Sequence, residues 1–343
     1  FSKRIAPRSY QFEHPGEPDE RYSTTAWQPV NEAHFAYQQL TVANPKHLLA
    51  FGRHISDSLP TNSIYFAGTD AGRFVVDFAS LANGRPRSFT LISQNQLADG
   101  MYLEYLSATC TTEIRLLTNE DSSKSFTDYF ADAKRRLEAN QLKPGEHVEL
   151  TNGRVQVSGM VPVMEINGLL ARAFFEKNST NEFFIDNQWA FDWAYPHFEP
   201  YGFILKINRE PLSELNEEAV QRDHEFWKHQ TTQTIGDWLG ESTSIAEICD
   251  WVEKVYLQED LSGFKGDVDF VRTAKNLKSP SGIYGASAVF SKSRANIADV
   301  YAWRAANAKT KQEKQRMSKA ADLAFRQAIA LGPAQLDAAR DYY

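Results

Sequence analysis

Cysteine is scarce in this chain, which has only Cys110 and Cys249 among its 343 residues. Neither belongs to a CxxC pair or to a Cys/His cluster with the spacing of zinc ligands, so we predict no metal site. Both cysteines follow apolar patterns with helical spacing, which favours buried thiols. The sequence leaves open whether the two thiols form a disulfide.

Long apolar runs are also lacking. The sequence has no stretch of about 18 apolar residues, so we predict that this chain does not itself cross a membrane. It begins at Phe1 rather than methionine, which suggests a fragment or a processed product. The net charge of −7 gives no support to general nucleic-acid binding, and we expect no nucleic-acid partner.

The common catalytic and cofactor signatures are absent as well. We find no GxGxxG fingerprint, no phosphate-binding loop ending in Gly-Lys-Ser/Thr and no GxSxG nucleophile motif, so we predict no cofactor and assign no catalytic residue. His224 and His229 resemble a zinc-protease motif only superficially. They stand five residues apart, about 140° around a helix, and cannot share a metal as a four-residue spacing would.

The hydrophobic residues, 42% of the chain, are arranged in an α/β pattern. Short β-rich runs alternate with helical segments, which predicts a mostly parallel, Rossmann-like three-layer sheet. Asn152-Gly153 stands between two alternating runs and predicts an inserted β-hairpin over 147–157. The five predicted strands of the main sheet are 63–67, 88–93, 113–118, 182–186 and 202–207.

The changes in pattern along the chain predict three regions. Residues 1–45 contain Pro7, Pro15, Pro18 and Pro29 and are predicted to be an extended lead-in with few regular elements. The α/β domain should cover 46–212, and an all-α, tetratricopeptide-like region 213–343. The repeat-like pattern consists of Ala321, Phe325, Ala328 and Pro333, at the spacings of the second helix of such a repeat.

Polar residues follow the predicted strands at the points where the strands end. Parallel strands place their carboxyl ends at one edge of a sheet, so these side chains could form a ligand site there. The same residue types also cap helices, which we favour for most of them taken singly. Asp70 is the exception, because the glycines on both sides would let the backbone approach a ligand closely. The candidate ligand-binding residues are Thr69, Asp70, Arg73, Asn95, Asp99 and Asp186.

Positive charge is concentrated towards the end of the chain. Residues 265–326 contain thirteen Lys and Arg against five Asp and Glu, an asymmetry that indicates either an interaction surface or a solvated helical face. The candidate partner-binding residues are Lys311, Lys314, Arg316 and Lys319. A second ambiguous pattern is the aromatic cluster at 189–197, which could be a sugar-binding platform but more often packs under a sheet edge.

Several segments resemble a family of large bacterial membrane proteins related to protein O-mannosyltransferases. The matching segments are 63–74, 91–100, 202–207, 290–303 and 321–333, the last two being similar to the form found in Verrucomicrobia-like bacteria. In that family a glycosyltransferase-like transmembrane half precedes an α/β domain and tetratricopeptide repeats. Asp70 matches an acidic position in a strand-end loop of the family, and the family's catalytic acidic residue belongs to the membrane half.

The resemblance implies a periplasmic domain at the outer face of the cytoplasmic membrane, within a membrane-anchored protein. We therefore expect a non-catalytic recognition or scaffold domain. Its partners would be the membrane-embedded half, a protein bound by the helical repeats, and a glycan or glycoprotein acceptor. Two alternatives stay open. One is an independent enzyme that processes a sugar or phosphate with Asp70, Asp99 and Asp186, and the other is a structural assembly protein.

Overall fold

The computed structural model describes residues 24–42, 45–82, 88–110, 114–274 and 285–332. The chain forms two compact units. The first unit comprises the described part of Phe1–Ala33, then Ile92–Asn181 and Trp189–Trp193. The second comprises the described parts of His34–Leu91, Glu182–Gln188 and Ala194–Tyr343. The division of the sequence at 45/46 and 212/213 stays a prediction.

The helices and strands follow the chain in a mixed order, as the α/β interpretation predicts. The helices are α1 (Thr24–Val42), α2 (Pro45–Ser58), α3 (Val76–Ala82), α4 (Gly100–Thr109), α5 (Asn119–Glu138), α6 (Met160–Lys177), α7 (Glu217–Ile235), α8 (Ile245–Val252), α9 (Val268–Arg272), α10 (Ala286–Ala306) and α11 (Lys311–Leu331). The strands are β1 (Ile64–Ala67), β2 (Thr90–Ser93), β3 (His147–Thr151), β4 (Arg154–Ser158), β5 (Phe183–Ile185), β6 (Phe198–Tyr201) and β7 (Ile204–Ile207). The prediction of an α/β fold followed by a helical region is confirmed.

The main sheet is mixed and has the strand order β2-β1-β5-β7-β6. Strands β1 and β5 are parallel, and every residue in them is buried, as expected for strands covered on both faces. Strand β7 runs antiparallel to both β5 and β6. The carboxyl ends of β1 and β5 therefore lie at the same edge of the sheet, and their following loops meet there.

The inserted hairpin is confirmed. Strands β3 and β4 pair antiparallel, and Asn152 and Gly153 join them with φ angles of 52° and 74°. Two successive residues with positive φ are the geometry that a two-residue hairpin turn requires, and Asn-Gly adopts it readily. The sequence pattern was sufficient here because the turn is specified by two adjacent residues.

Three predicted elements differ in the structure. Residues 114–118 form no strand, since only Leu117 among them is buried, and Thr118 instead caps α5 in a capping box with Asp121. The lead-in contains helix α1, with Pro29 inside it, although residues 1–23 lie outside the described part. The alternating pattern also predicts a helix over 189–198, between the fourth and fifth predicted strands, but the structure has there a short 3₁₀ turn, Asp192–His197, that runs into β6.

Helices α10 and α11 pack closely in the second unit. Small residues allow this approach, and two serine hydroxyls of α10 reach backbone carbonyls of the other helix. Ser287 Oγ donates to Leu331 O at 2.8 Å, and Ser291 Oγ donates to Ala328 O at 2.6 Å. Ala321, Phe325 and Ala328, which carry the repeat-like pattern, are all buried, and Pro333 lies outside the described residues.

Candidate functional site

A cavity of about 420 Å³ lies in the second unit beside the loop that follows β1. This volume falls within the roughly 300–1,000 Å³ of typical small-molecule sites. The loop, the end of β5, one face of α10 and one residue of α1 form its wall. The lining residues are Gln39, Gly68, Thr69, Asp70, Ala71, Asp186, Ala288, Val289, Lys292, Ser293 and Asn296.

Asp186, at the end of β5, holds the loop after β1 in place. Its Oδ1 accepts a hydrogen bond from the Gly68 N–H at 2.6 Å, and its Oδ2 accepts from the Thr69 N–H at 3.2 Å and from the Thr69 hydroxyl. Because β1 and β5 are adjacent parallel strands, one short side chain can span the two strand ends. Both carboxylate oxygens are thus committed to the protein's own backbone and hydroxyl donors.

Gly72 is required for this arrangement. A side chain there would overlap the Asp186 carboxylate and would come within 2.8 Å of Thr69 Oγ1. Gly72 also donates its N–H to Thr69 Oγ1 at 2.9 Å. Glycine provides the space because it has no Cβ. The sequence predicts that the glycines let the backbone approach a ligand closely; in the structure, the group that lies against Gly72 is the internal Asp186 carboxylate.

Burial dominates the electrostatics of the two acidic side chains in the wall. It raises the pKa of the Asp186 carboxyl above its ordinary value, against the opposing hydrogen bonds from Thr69 and Gly68 and the charge of Lys292. The surrounding protein also raises the pKa of Asp70, although this residue lies at the exposed rim. The positive charges of Arg73 and Lys292 partly offset that effect.

Helix α10 is attached to the chain that follows β5. The Asn296 side chain donates to Asp186 O at 2.7 Å, and Gln188 Nε2 donates to Asn296 O at 3.2 Å and to Asp299 Oδ2 at 3.0 Å. Burial raises the pKa of Asp299 to about 6, while the hydrogen bond from Gln188 lowers it. These bonds fix the face of α10 that forms one wall of the cavity.

Four polar groups of the wall have no hydrogen-bond partner within the described part of the chain. Gln39 is only 3% exposed, and its Oε1 is buried without a donor. The Asp70 carboxylate, the Lys292 ammonium and the Ser293 hydroxyl form no hydrogen bond or ion pair with a described residue. The Asp70, Lys292 and Ser293 side chains are therefore available to a ligand or a water molecule in the cavity.

The structure brings together three of the six predicted ligand-binding residues, Thr69, Asp70 and Asp186. Arg73, one helical turn further, places its guanidinium 4.9 Å from the Phe74 ring centroid. Asn95 and Asp99 belong to the first unit. There the Asp99 side chain caps α4 by accepting from the Met101 N–H at 2.9 Å, and Asn95 O accepts from the Asn167 side chain.

The sequence did not identify the contribution of α10 and α1 to the wall. Lys292 and Asn296 are four residues apart and therefore share a helix face, next to Ser293. These polar residues interrupt a helix whose other residues are largely buried alanines and apolar side chains, which was an available signal. Gln39 gave no comparable signal, because α1 was not expected to be a helix.

Among the predicted partner-binding residues, Lys311, Lys314 and Lys319 are exposed on α11. Arg316 instead forms an ion pair with Glu313 and donates to Leu215 O. Two other basic residues of this region are buried and structural. Arg294 forms a fully buried ion pair with Asp223, and Arg304 donates to Leu212 O. The charge asymmetry of the sequence therefore overstates the basic surface.

The expectation that both cysteine thiols are buried is wrong. Neither Cys110 nor Cys249 forms a disulfide, and neither is buried: Cys110 is partly exposed and Cys249 is exposed. The aromatic cluster at 189–197 is largely packed: Trp193 contacts Phe175 in the first unit, and Tyr195 contacts Phe198 in the second.

In the described ranges, no three His, Cys, Asp or Glu side chains converge to hold a metal ion. None of the described helices is long and apolar enough to cross a membrane.

Comparisons with known proteins gave no further identification. No protein-family model, no curated protein and no solved structure matches the chain.

Proposed function

We propose that this chain is a non-catalytic recognition domain that holds a small polar ligand in the cavity of its second unit. One observation carries the proposal: the side chains of Asp70, Lys292 and Ser293 line the cavity without a hydrogen-bond or ion-pair partner among the described residues, beside a loop that Asp186 holds in place. Such a combination of preformed shape and a few convergent polar groups is typical of ligand sites.

The state of Asp186 favours binding over catalysis. A general base must reach the proton that it removes, at hydrogen-bond distance from the substrate. Both oxygens of Asp186 already accept hydrogen bonds from Gly68 and Thr69. The carboxylate therefore supports the shape of the site.

The cellular setting of the proposal comes from the family resemblance. We propose that the chain acts at the outer face of the cytoplasmic membrane as part of a membrane-anchored, glycosyltransferase-like protein, with the membrane half and a glycan or glycoprotein acceptor as partners. The α/β part would be Rossmann-like. The close packing of α10 against α11 supports a tetratricopeptide-like region, and exposed Lys311, Lys314 and Lys319 would contact a protein partner.

A thermal-shift screen tests the binding proposal. The purified chain is screened against sugars, sugar phosphates, amino acids and divalent cations, and each stabilising compound is repeated on Ala288→Leu. Ala288 lines the cavity, so a larger side chain should reduce the space for a ligand. A compound at 100 times its Kd should stabilise the wild type by about 2.7 kcal/mol.

The matched control is Ala306→Leu, the same substitution at an exposed position of the same helix. We expect it to retain the stabilisation that Ala288→Leu loses. A flat screen, or stabilisation that survives Ala288→Leu unchanged, would contradict the proposal.

A second candidate function is an enzyme that processes a sugar or phosphate. The raised pKa of Asp70 favours it, because carboxyl groups with perturbed pKa values are enriched at active sites. Turnover of a sugar phosphate or glycoside that disappears in Asp70→Asn would support this candidate. Product formation that persists in that variant would count against it.

A further inference from the structure

We infer that the cavity of the second unit takes a small zwitterionic ligand, one that carries both an ammonium and a carboxylate group, such as an α-amino acid. This inference rests on the proposed function, since it names the ligand class of the same cavity. It follows from the charges and the unsatisfied polar groups of the wall.

An anionic ligand is disfavoured where such ligands commonly bind in α/β folds. The backbone N–H groups after the first strand of a βα unit often bind phosphate. Here the N–H groups of Gly68 and Thr69 donate to Asp186, and Gly72 donates to Thr69. A phosphate would have to displace a buried carboxylate and would meet the negative charge of Asp70 at the rim.

The remaining charges of the wall are one of each sign. The ammonium of Lys292 and the carboxylate of Asp70 influence each other electrostatically but form no ion pair. Lys292 can bind a ligand carboxylate, and Asp70 can bind a ligand ammonium through charge-assisted hydrogen bonds. A ligand with both groups satisfies both side chains, whereas a ligand with only one leaves the other unpaired.

The uncharged part of the wall agrees with this assignment. The Ser293 hydroxyl can donate to a carboxylate oxygen. The described lining contains no aromatic ring, which argues against a sugar held by stacking on an aromatic face.

Titration calorimetry on the purified chain tests the inference with defined probes. The probes are the standard α-amino acids, then the amide and the decarboxylated amine of the tightest one, with glucose and inorganic phosphate for comparison. We expect an amino acid to bind at least tenfold more tightly than its amide or amine. A lost charge-assisted hydrogen bond of about 1.4 kcal/mol corresponds to that factor.

Two variants of the chain remove one charge each, Lys292→Met and Asp70→Asn. Each should weaken amino-acid binding about tenfold or more. Asp70→Asn should also weaken binding of the decarboxylated amine to a similar degree, because this amine keeps the ammonium group that Asp70 binds. It should not restore the affinity that the amide loses with its carboxylate. Lys228→Met and Asp250→Asn are matched controls at exposed positions and should bind as the wild type does.

The outcomes separate this inference from the proposed function. Binding of glucose or phosphate that Ala288→Leu abolishes, without amino-acid binding, would overturn the zwitterion assignment and leave the cavity as a ligand site. Amino-acid binding that neither charge variant weakens would also overturn the assignment. If no probe binds at concentrations of about 10 mM, both the zwitterion assignment and the proposed ligand-binding function are overturned.

Discussion

The pKa of Asp299 leads to a quantitative prediction about stability. Asp299 is half-buried on α10 and accepts a hydrogen bond from Gln188 Nε2 at 3.0 Å. Burial raises its pKa from 3.8 to about 6. The folded chain therefore binds this proton more tightly than the unfolded chain does. The contribution of protonated Asp299 to the free energy of unfolding is fully present below about pH 4 and is lost as the pH rises through about 6.

At pH 7.5 the ionised Asp299 should destabilise the fold, and Asp299→Asn should relieve this effect. The shift is about 2 pKa units, and each unit corresponds to about 1.4 kcal/mol, so the upper limit is about 3 kcal/mol. Because solvent screens a half-buried group, we expect a gain of about 1–2 kcal/mol. Asparagine keeps an acceptor oxygen for Gln188, so the attachment of α10 should be preserved.

Urea unfolding at 25 °C, at pH 7.5 and pH 4.5, measures the effect. Asp299→Asn should unfold at a higher urea concentration than the wild type at pH 7.5, and the difference should shrink or vanish at pH 4.5. Asp250→Asn, at an exposed position, is the control and should show no such pH-dependent gain. A variant that is no more stable than the wild type at pH 7.5 would refute the reasoning.

Three further substitutions should lower the free energy of unfolding at pH 7.5, measured by the same urea titration. Gly72→Ala should cost about 3–5 kcal/mol, because its methyl group displaces the buried Asp186 carboxylate from its donors; a loss below about 1 kcal/mol would show that the loop adjusts. Thr118→Ala removes the N-cap of α5 and should cost about 1 kcal/mol, whereas an unchanged midpoint would contradict the capping role. Arg294→Met leaves the buried Asp223 carboxylate without its ion-pair partner and should cost about 3–5 kcal/mol, and a neutral result would mean that the pair is dispensable.

Local patterns in the sequence were sufficient for much of the fold. The buried run that became β1 and the Asn152-Gly153 turn of the β3–β4 hairpin each depend on residues close together in the chain. The strand expected at 113–118 failed for a physical reason. Its composition is β-rich, but only Leu117 among its described residues is buried, so a place in a buried sheet would gain little hydrophobic stabilisation.

The candidate site could be predicted only in part, because its geometry depends on residues distant in sequence. Asp186 binds Gly68 across 118 positions, and Asn296 binds Asp186 O across 110. The sequence identified the strand-end residues Asp70 and Asp186 but not their different roles. Asp186 is committed to the loop, whereas Asp70 is available at the rim, and only the register of β1 beside β5 distinguishes the two.

Chemical footprinting of Lys292 tests the central claim, that the cavity is a ligand site, most directly. The lysines are acetylated under limiting reagent, with and without each compound that stabilises the chain, and the rate at each lysine is read by mass spectrometry. We predict that a bound ligand slows the modification of Lys292 about tenfold and leaves exposed Lys228 unchanged. Equal labelling of Lys292 with and without every stabilising compound would contradict the claim.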